Sequence, residues 1–104
     1  MSMMASLSLD ALSSEGEQLT VRVEVGAPYF SDRWDTWACP ITIDPIYERL
    51  ADAVGEDSFQ SLCLAIRLAH SLLRDFVDKG GTLLMDGEPF PFEAYFDGVG
   101  SAFR

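Results

Sequence analysis

The 104-residue sequence predicts an α+β fold: an antiparallel β-meander of three to four strands, one long helix packed across one face, and a short C-terminal β-hairpin. Three observations carry this reading. Apolar and polar residues alternate from Ala5 to Ala11 and again from Leu19 to Val25, the period of half-buried strands. Asp57 and the pair Gly80-Gly81 bracket a segment whose apolar residues recur at helical spacing. Asp86-Gly87, set between two short arms, has the composition of a two-residue hairpin turn.

The first strand carries Ala5, Leu7, Leu9 and Ala11 on one face, with Ser6, Ser8 and Asp10 between them. Ser13 to Gln18 reads as a turn. The second strand repeats the pattern with Leu19, Val21, Val23 and Val25, rich in the β-branched residues that suit a pleated surface. These two form a hairpin. Gly26 to Asp32 breaks the period, after which Trp37, Cys39, Ile41 and Ile43 alternate again and predict a third strand. Pro40 cannot donate to a ladder, so this strand lies at an edge there or turns that position away from its neighbour. Local signals conflict from Ile46 to Val54. Helical spacing, Pro45 at a first helical position and Asp44 as a cap favour a helix, while a strand folding back from the third is the competing reading.

Asp57 and Gln60 have capping-box spacing, so a helix runs from about Ser58 to Lys79. From Phe59, the positions Leu62, Cys63, Ile66, Ala69, His70, Leu73, Phe76 and Val77 share one face, which is expected to pack on the sheet. Leu64, Leu68 and Leu72 lie outside it and need a second cover. Either the segment with Phe90, Phe92, Tyr95 and Phe96 or a second copy of the chain supplies it. Thr82 to Met85 is a short strand, its return arm is made irregular by Pro89 and Pro91, and the tail from about residue 97 is expected to be loose.

Composition bounds the function. The chain carries 17 acidic and 7 basic side chains, a net charge of −10, with 48% apolar and 12% aromatic residues. One domain over residues 1–104 fits, since a chain of this length buries roughly two-thirds of its unfolded surface. Such a charge repels phosphate backbones and anionic lipid, so neither nucleic acid nor a membrane surface is an expected partner. The N-terminus lacks a basic region and is broken by Ser6, Ser8 and Asp10, so it reads as structure, not as a secretory signal. Cys39 and Cys63 fall in different elements without metal spacing; reduced, buried thiols and a cytoplasmic location are the expectation.

Trp37-Ala38-Cys39-Pro40, Ile43, and Gly55-Glu56-Asp57-Ser58-Phe59-Gln60-Ser61-Leu62 opening an apolar helix resemble a set of small uncharacterised bacterial proteins. That family has a Trp-x-Cys-Pro strand and a Gly-x-Asp-Ser-x-Gln-Ala-Leu helix start. The resemblance covers about Trp34 to Gly81 and departs at Ser61, where the family more often has Ala, and around Asp44 to Asp52. The family is a domain of unknown function, so the resemblance implies a fold and no activity. It implies a meander followed by a long helix, and a strand between Ile46 and Val54.

No catalytic constellation is visible. His70 is the only histidine, and its helical neighbours Ile66 and Arg74 neither activate it nor complete a metal site, so a core or interface role is expected. Cys63 lies about 10 Å along the axis from His70, too far to pair with it; Cys39 reaches His70 only if the third strand crosses the helix there. Glu56 and Asp57 suit a helix start, and no phosphate loop, calcium loop or nucleophile elbow occurs. Neither a cofactor nor a metal is therefore expected, and the chain does not read as an enzyme.

The aromatic cluster of Tyr29, Phe30, Trp34 and Trp37 beside Arg33 has the composition of an interface hot spot, or of a small core beneath a loop. Three roles are compatible with these residues. The first is a noncatalytic acidic protein that binds a basic protein partner, as an immunity or inhibitor protein does. The second is a small-ligand domain with a pocket between helix and sheet, lined by Trp37, Cys39, His70 and Phe76. The third, compatible with either, is a homodimer through Leu64, Leu68 and Leu72.

Overall fold

In the computed structural model, which describes residues 2–97, the period-two segments become two long strands, β1 (Met3–Leu12) and β2 (Gln18–Gly26). They pair antiparallel, with Leu9 opposite Val21 and Ala11 opposite Leu19, so both apolar faces point the same way. The Ser13 hydroxyl fixes the connecting turn by accepting the N–H groups of Glu15 and Glu17. The expected C-terminal tail beyond Asp97 lies outside the described residues.

The third predicted strand is divided. Its first part pairs in a hairpin, β3 (Tyr29–Ser31) with β4 (Thr36–Cys39), and its second part, β5 (Ile41–Asp44), pairs with β2. Pro40 sits at the joint. Its carbonyl accepts the Gly26 N–H at 2.9 Å, while the ring's missing donor leaves no ladder position to lose. The Pro and Gly that make Gly26 to Asp32 look irregular flank β3 without entering it.

Between Ile46 and Val54 the expected strand forms only at its end, as β6 (Ala53–Gly55), and no helix forms there. Tertiary packing overrides the helical spacing, because Ile46, Tyr47 and Leu50 each turn inward onto the core. Tyr47 also bridges to Ile43, donating its N–H to that carbonyl at 2.9 Å.

The helix α1 (Ser58–Asp78) begins and ends as its caps dictate. The Asp57 carboxylate accepts the Gln60 N–H at 2.7 Å, and the Gln60 side chain reaches back to the Glu56 N–H. At the other end Gly80, at φ +101°, turns the chain so that Gly81 donates to the Phe76 carbonyl and Gly80 to that of Val77, a Schellman closure. Then come β7 (Thr82–Met85) and β8 (Glu88–Pro89), joined through Asp86 and Gly87, both at positive φ as a type I′ turn requires. A single π-helical turn, Glu93–Asp97, follows.

Among the described residues the strands form two antiparallel sheets, one ordered β5-β2-β1-β7-β8 and the other β3-β4-β6. The predicted α+β class, the meander with its helix, and the C-terminal hairpin are all present. The hairpin adds to the main sheet because β7 pairs with Asp10 to Leu12 of β1. The helix packs on both sheets, most closely on β4 and β6, with its first turn at Ser61 against Gly55 of β6.

Helix rotation differs from the expected one. The buried stripe is Ser61, Ala65, Ala69 and Leu73, roughly 70° around the axis from the predicted centre, with Ala69 and Leu73 common to both. Cys63 is exposed, contrary to expectation, as are Phe59 and Ile66. Hydrophobicity alone places the face on the largest apolar arc, but close approach to a sheet favours the row of small residues. Leu68 and Leu72 consequently join the chain's own core with Ile46, Tyr47 and Leu50, and Leu64 is half-buried. Leu68 and Leu72 are thus taken up by the chain's own core, where Tyr47 reaches the Leu72 carbonyl, while Phe92 and Phe96 of the C-terminal segment pack around His70.

Candidate functional site

The β3–β4 hairpin is built by cross-strand pairs of bulky residues. Tyr29 lies opposite Ala38, and Phe30 opposite Trp37. On the other side of β4, Val54 faces Ala38 and Gly55 faces Trp37. Alternation therefore produces two rows across the small sheet, Tyr29–Ala38–Val54 on one face and Phe30–Trp37–Gly55 on the other. The second row looks toward the helix, since a side chain on Gly55 would meet the Ser61 backbone.

The outer parts of both rows are open to solvent. Tyr29 is 40% exposed, Phe30 47% and Val54 47%, and Trp34 in the hairpin turn is 53% exposed. Phe30 holds its ring edge-on to the half-buried Trp37 at 5.9 Å, a favourable quadrupole arrangement. The Arg33 guanidinium sits 5.9 Å from the Trp34 ring, and the Trp34 backbone N–H donates to the Ser31 hydroxyl. Tyr29 donates its O–H to the Asp52 carboxylate at 2.5 Å, which raises the phenol above its ordinary pKa of 10.0 because the bond favours the protonated form. These contacts orient the aromatic rings without burying them.

Carboxylates flank these strands along the chain, and Asp52 touches Tyr29. Asp32 and Asp35 occupy the hairpin turn, Asp52 precedes β6, and Glu56 and Asp57 follow it, with Arg33 the one cation in these segments. The site thus offers apolar rings within a negative field. Cys39 is on the same hairpin but fully buried, its Sγ 3.3 Å from the Gly26 carbonyl. Burial, and secondarily the Asp52 charge, push its thiol above the ordinary value, the opposite of what a nucleophile needs.

Of the six residues singled out from sequence, Tyr29, Arg33, Trp34 and Trp37 come together on the hairpin. Cys39 belongs to its inner side. His70 is elsewhere, stacked flat on Phe96 with ring centroids 4.5 Å apart and 6° between planes. The four residues named for a pocket make different contacts: Trp37 packs against Phe30, Cys39 lies at the Gly26 carbonyl, His70 stacks on Phe96, and Phe76 lines a cleft with Tyr47 and Asp75. Val54 and Asp52 escaped sequence reasoning because β6 brings them to the hairpin from a distant segment, and no local pattern marks them.

The cleft at Tyr47 fastens the Ile46–Leu50 loop to the helix. Tyr47 Oη lies 2.7 Å from the Asp75 carboxylate and 3.1 Å from the Leu72 carbonyl, and Lys79 pairs with Asp75 at 2.9 Å. The Tyr47 bond and then Lys79 hold the Asp75 carboxyl below its usual range. Burial, then the Asp75 bond, pushes the Tyr47 phenol up to about 12. Its neutral form is therefore the stabilising one: the contribution is complete below pH 10 and is lost as pH rises through about 12. Tyr47→Phe should cost about 1 kcal/mol at neutral pH. Urea unfolding of both proteins should show that difference shrinking above pH 10, where wild type alone must keep the Tyr47 proton. A constant difference would mean that the phenol is not held in this bond.

Searches of curated proteins and of solved structures found no match. A family model described as a domain of unknown function (DUF6968) matches residues 7–92, a span that runs from β1 through the C-terminal hairpin and includes the aromatic hairpin and the capped helix. By that match over most of its length, the chain belongs to the DUF6968 family.

Proposed function

We propose that this protein is a noncatalytic interaction protein whose β3–β4 hairpin docks a basic protein partner, in the manner of an inhibitor or immunity protein. The observation that carries this reading is the exposed pair Tyr29 and Val54 on the outer face of the small sheet, beside the Asp52 carboxylate, with Trp34 exposed in the acidic hairpin turn and Phe30 exposed on the other face. Tyr and Trp are the side chains that most often dominate binding energy, and they do so where a charged rim surrounds an apolar centre. The fitting partner presents lysine or arginine around an apolar recess. The net charge of −10 accelerates its encounter, and ionic strength should slow that encounter. A cytoplasmic setting, with both thiols reduced, is part of the reading.

The test uses wild-type protein and Trp34→Ala as parallel baits in native extract, followed by affinity measurement on the purified partner. Trp34 lies in an exposed turn, so its removal should leave the fold intact. Wild type should retain a basic protein, and Trp34→Ala should bind it about 30-fold more weakly, the effect of losing a central hot spot. Equal binding by the two, or association indifferent to salt, would refute the hairpin as the docking surface.

A further inference from the structure

We infer that two copies of this chain associate through the free edge of β1, joining their five-stranded sheets across a two-fold axis. The argument starts from backbone pairing. On one side β1 pairs with β2 along its length, but on the other only Asp10, Ala11 and Leu12 meet β7. Among the described residues no strand occupies that side of Met3 to Leu9. Alternate residues of an antiparallel strand point their N–H and C=O groups outward, so this edge offers a row of donors and acceptors that another strand can satisfy.

Its sequence is as telling as its pairing. Met3-Met4-Ala5-Ser6-Leu7-Ser8-Leu9 contains no charge and no proline, in a chain with 17 acidic and 7 basic residues. Solvent-facing edges are commonly guarded by lysine, proline or a bulge, and here an irregularity between Met3 and Ala5 breaks only the far end. Beside the edge lies an apolar cleft of about 330 Å³ between sheet and helix, bordered by Ala5, Leu7, Ile66, Leu73, Tyr95 and Phe96. Ile66 and Tyr95 are 42% and 49% exposed there.

A second copy fits this edge for a geometric reason. A two-fold axis normal to the sheet pairs the strand antiparallel with itself and keeps each side chain on its own face. With the axis through Ser6, Ala5 lies opposite Leu7 of the second copy and Met4 opposite Ser8. Both helices then stand on one side of the joined sheet and the two apolar clefts adjoin. The neutral edge is also where two such acidic chains meet with least repulsion. The acidic hairpin leaves the sheet from β5, two strands away from β1, or roughly 10 Å, and remains free in this arrangement.

The salt dependence separates this inference from the docking role. Repulsion between two chains of charge −10 is screened by salt, so self-association should strengthen with ionic strength, whereas capture of a basic partner should weaken. Sedimentation equilibrium on the full chain should give a mass rising from 11.5 kDa toward twice that value with concentration and with salt. Ser6 is exposed, and both Ser6→Lys and Ser6→Glu should hold the protein at 11.5 kDa, since each places like charges together on the axis. Because Ser6→Lys makes the net charge less negative, its dissociating effect would come from the edge and not from global repulsion. In a Cys63→Ser background, Ser6→Cys should cross-link to a dimer under mild oxidant. A monomer at every concentration and salt, or a dimer that both Ser6 variants leave intact, would overturn the inference, and neither result bears on Trp34.

Discussion

Replacing Leu73 with alanine is expected to lower stability by about 3 kcal/mol, within the range for a buried leucine. The side chain is fully buried at the end of the small-residue stripe, where the helix spans the main sheet. It lines the space under the helix with Val23 and Val25 of β2, which are held by ladders to β1 on one side and β5 on the other, so they cannot move in to fill the space. A domain of this size has a total stability of about 5–15 kcal/mol, so the loss should shift the thermal midpoint by more than 10 °C. Differential scanning calorimetry of the variant measures it. A shift of a degree or two would mean that the helix is not seated on this side chain.

Gly55→Ala should destabilise the fold by about 2 kcal/mol for a different reason, which is overpacking. An added Cβ would lie 2.6 Å from the Ser61 nitrogen and 3.0 Å from both the Gln60 carbonyl carbon and the Ser61 Cα. All three are backbone atoms in the first turn of a helix held by the Asp57 cap, so no rotamer change relieves the contact. Either β6 or the helix start must shift. Since β6 carries Val54 and pairs with β4, the shift should also distort the aromatic surface and weaken partner binding. Gly81 gives a useful contrast. A Cβ there would meet the Phe76 ring at 2.5 Å, which a side-chain rotation can relieve, so Gly81→Ala should cost less than Gly55→Ala. Chemical unfolding of the two variants checks the order, and the reverse order would show that the helix start is free to move.

These two positions differ in how far the sequence reveals them. Leu73 is legible, because it falls on the apolar arc of a helix whose ends Asp57 and Gly80 announce. The need for glycine at Gly55 is not, because the crowding atoms belong to another element. The same division runs through the site. Tyr29, Arg33, Trp34 and Trp37 are close in sequence, and a hairpin places them close in space whatever the rest of the chain does. Asp52 and Val54 reach the same surface only through the pairing of β6 with β4.

By itself, then, the sequence determined the class of fold, the β1–β2 hairpin, both ends of the helix and the β7–β8 turn. Each of these is encoded by periodicity or by a cap within one short segment, where backbone hydrogen bonding and local burial decide the outcome. Only the tertiary structure decided that Pro40 divides one strand between two sheets, that Ile46 to Leu50 forms an inward-facing loop, and that the buried stripe of the helix runs through Ser61, Ala65, Ala69 and Leu73, to one side of its broadest apolar arc. Those outcomes depend on which surfaces meet. A helix settles where its backbone can approach the sheet most closely, and that choice is made by partners distant in the chain.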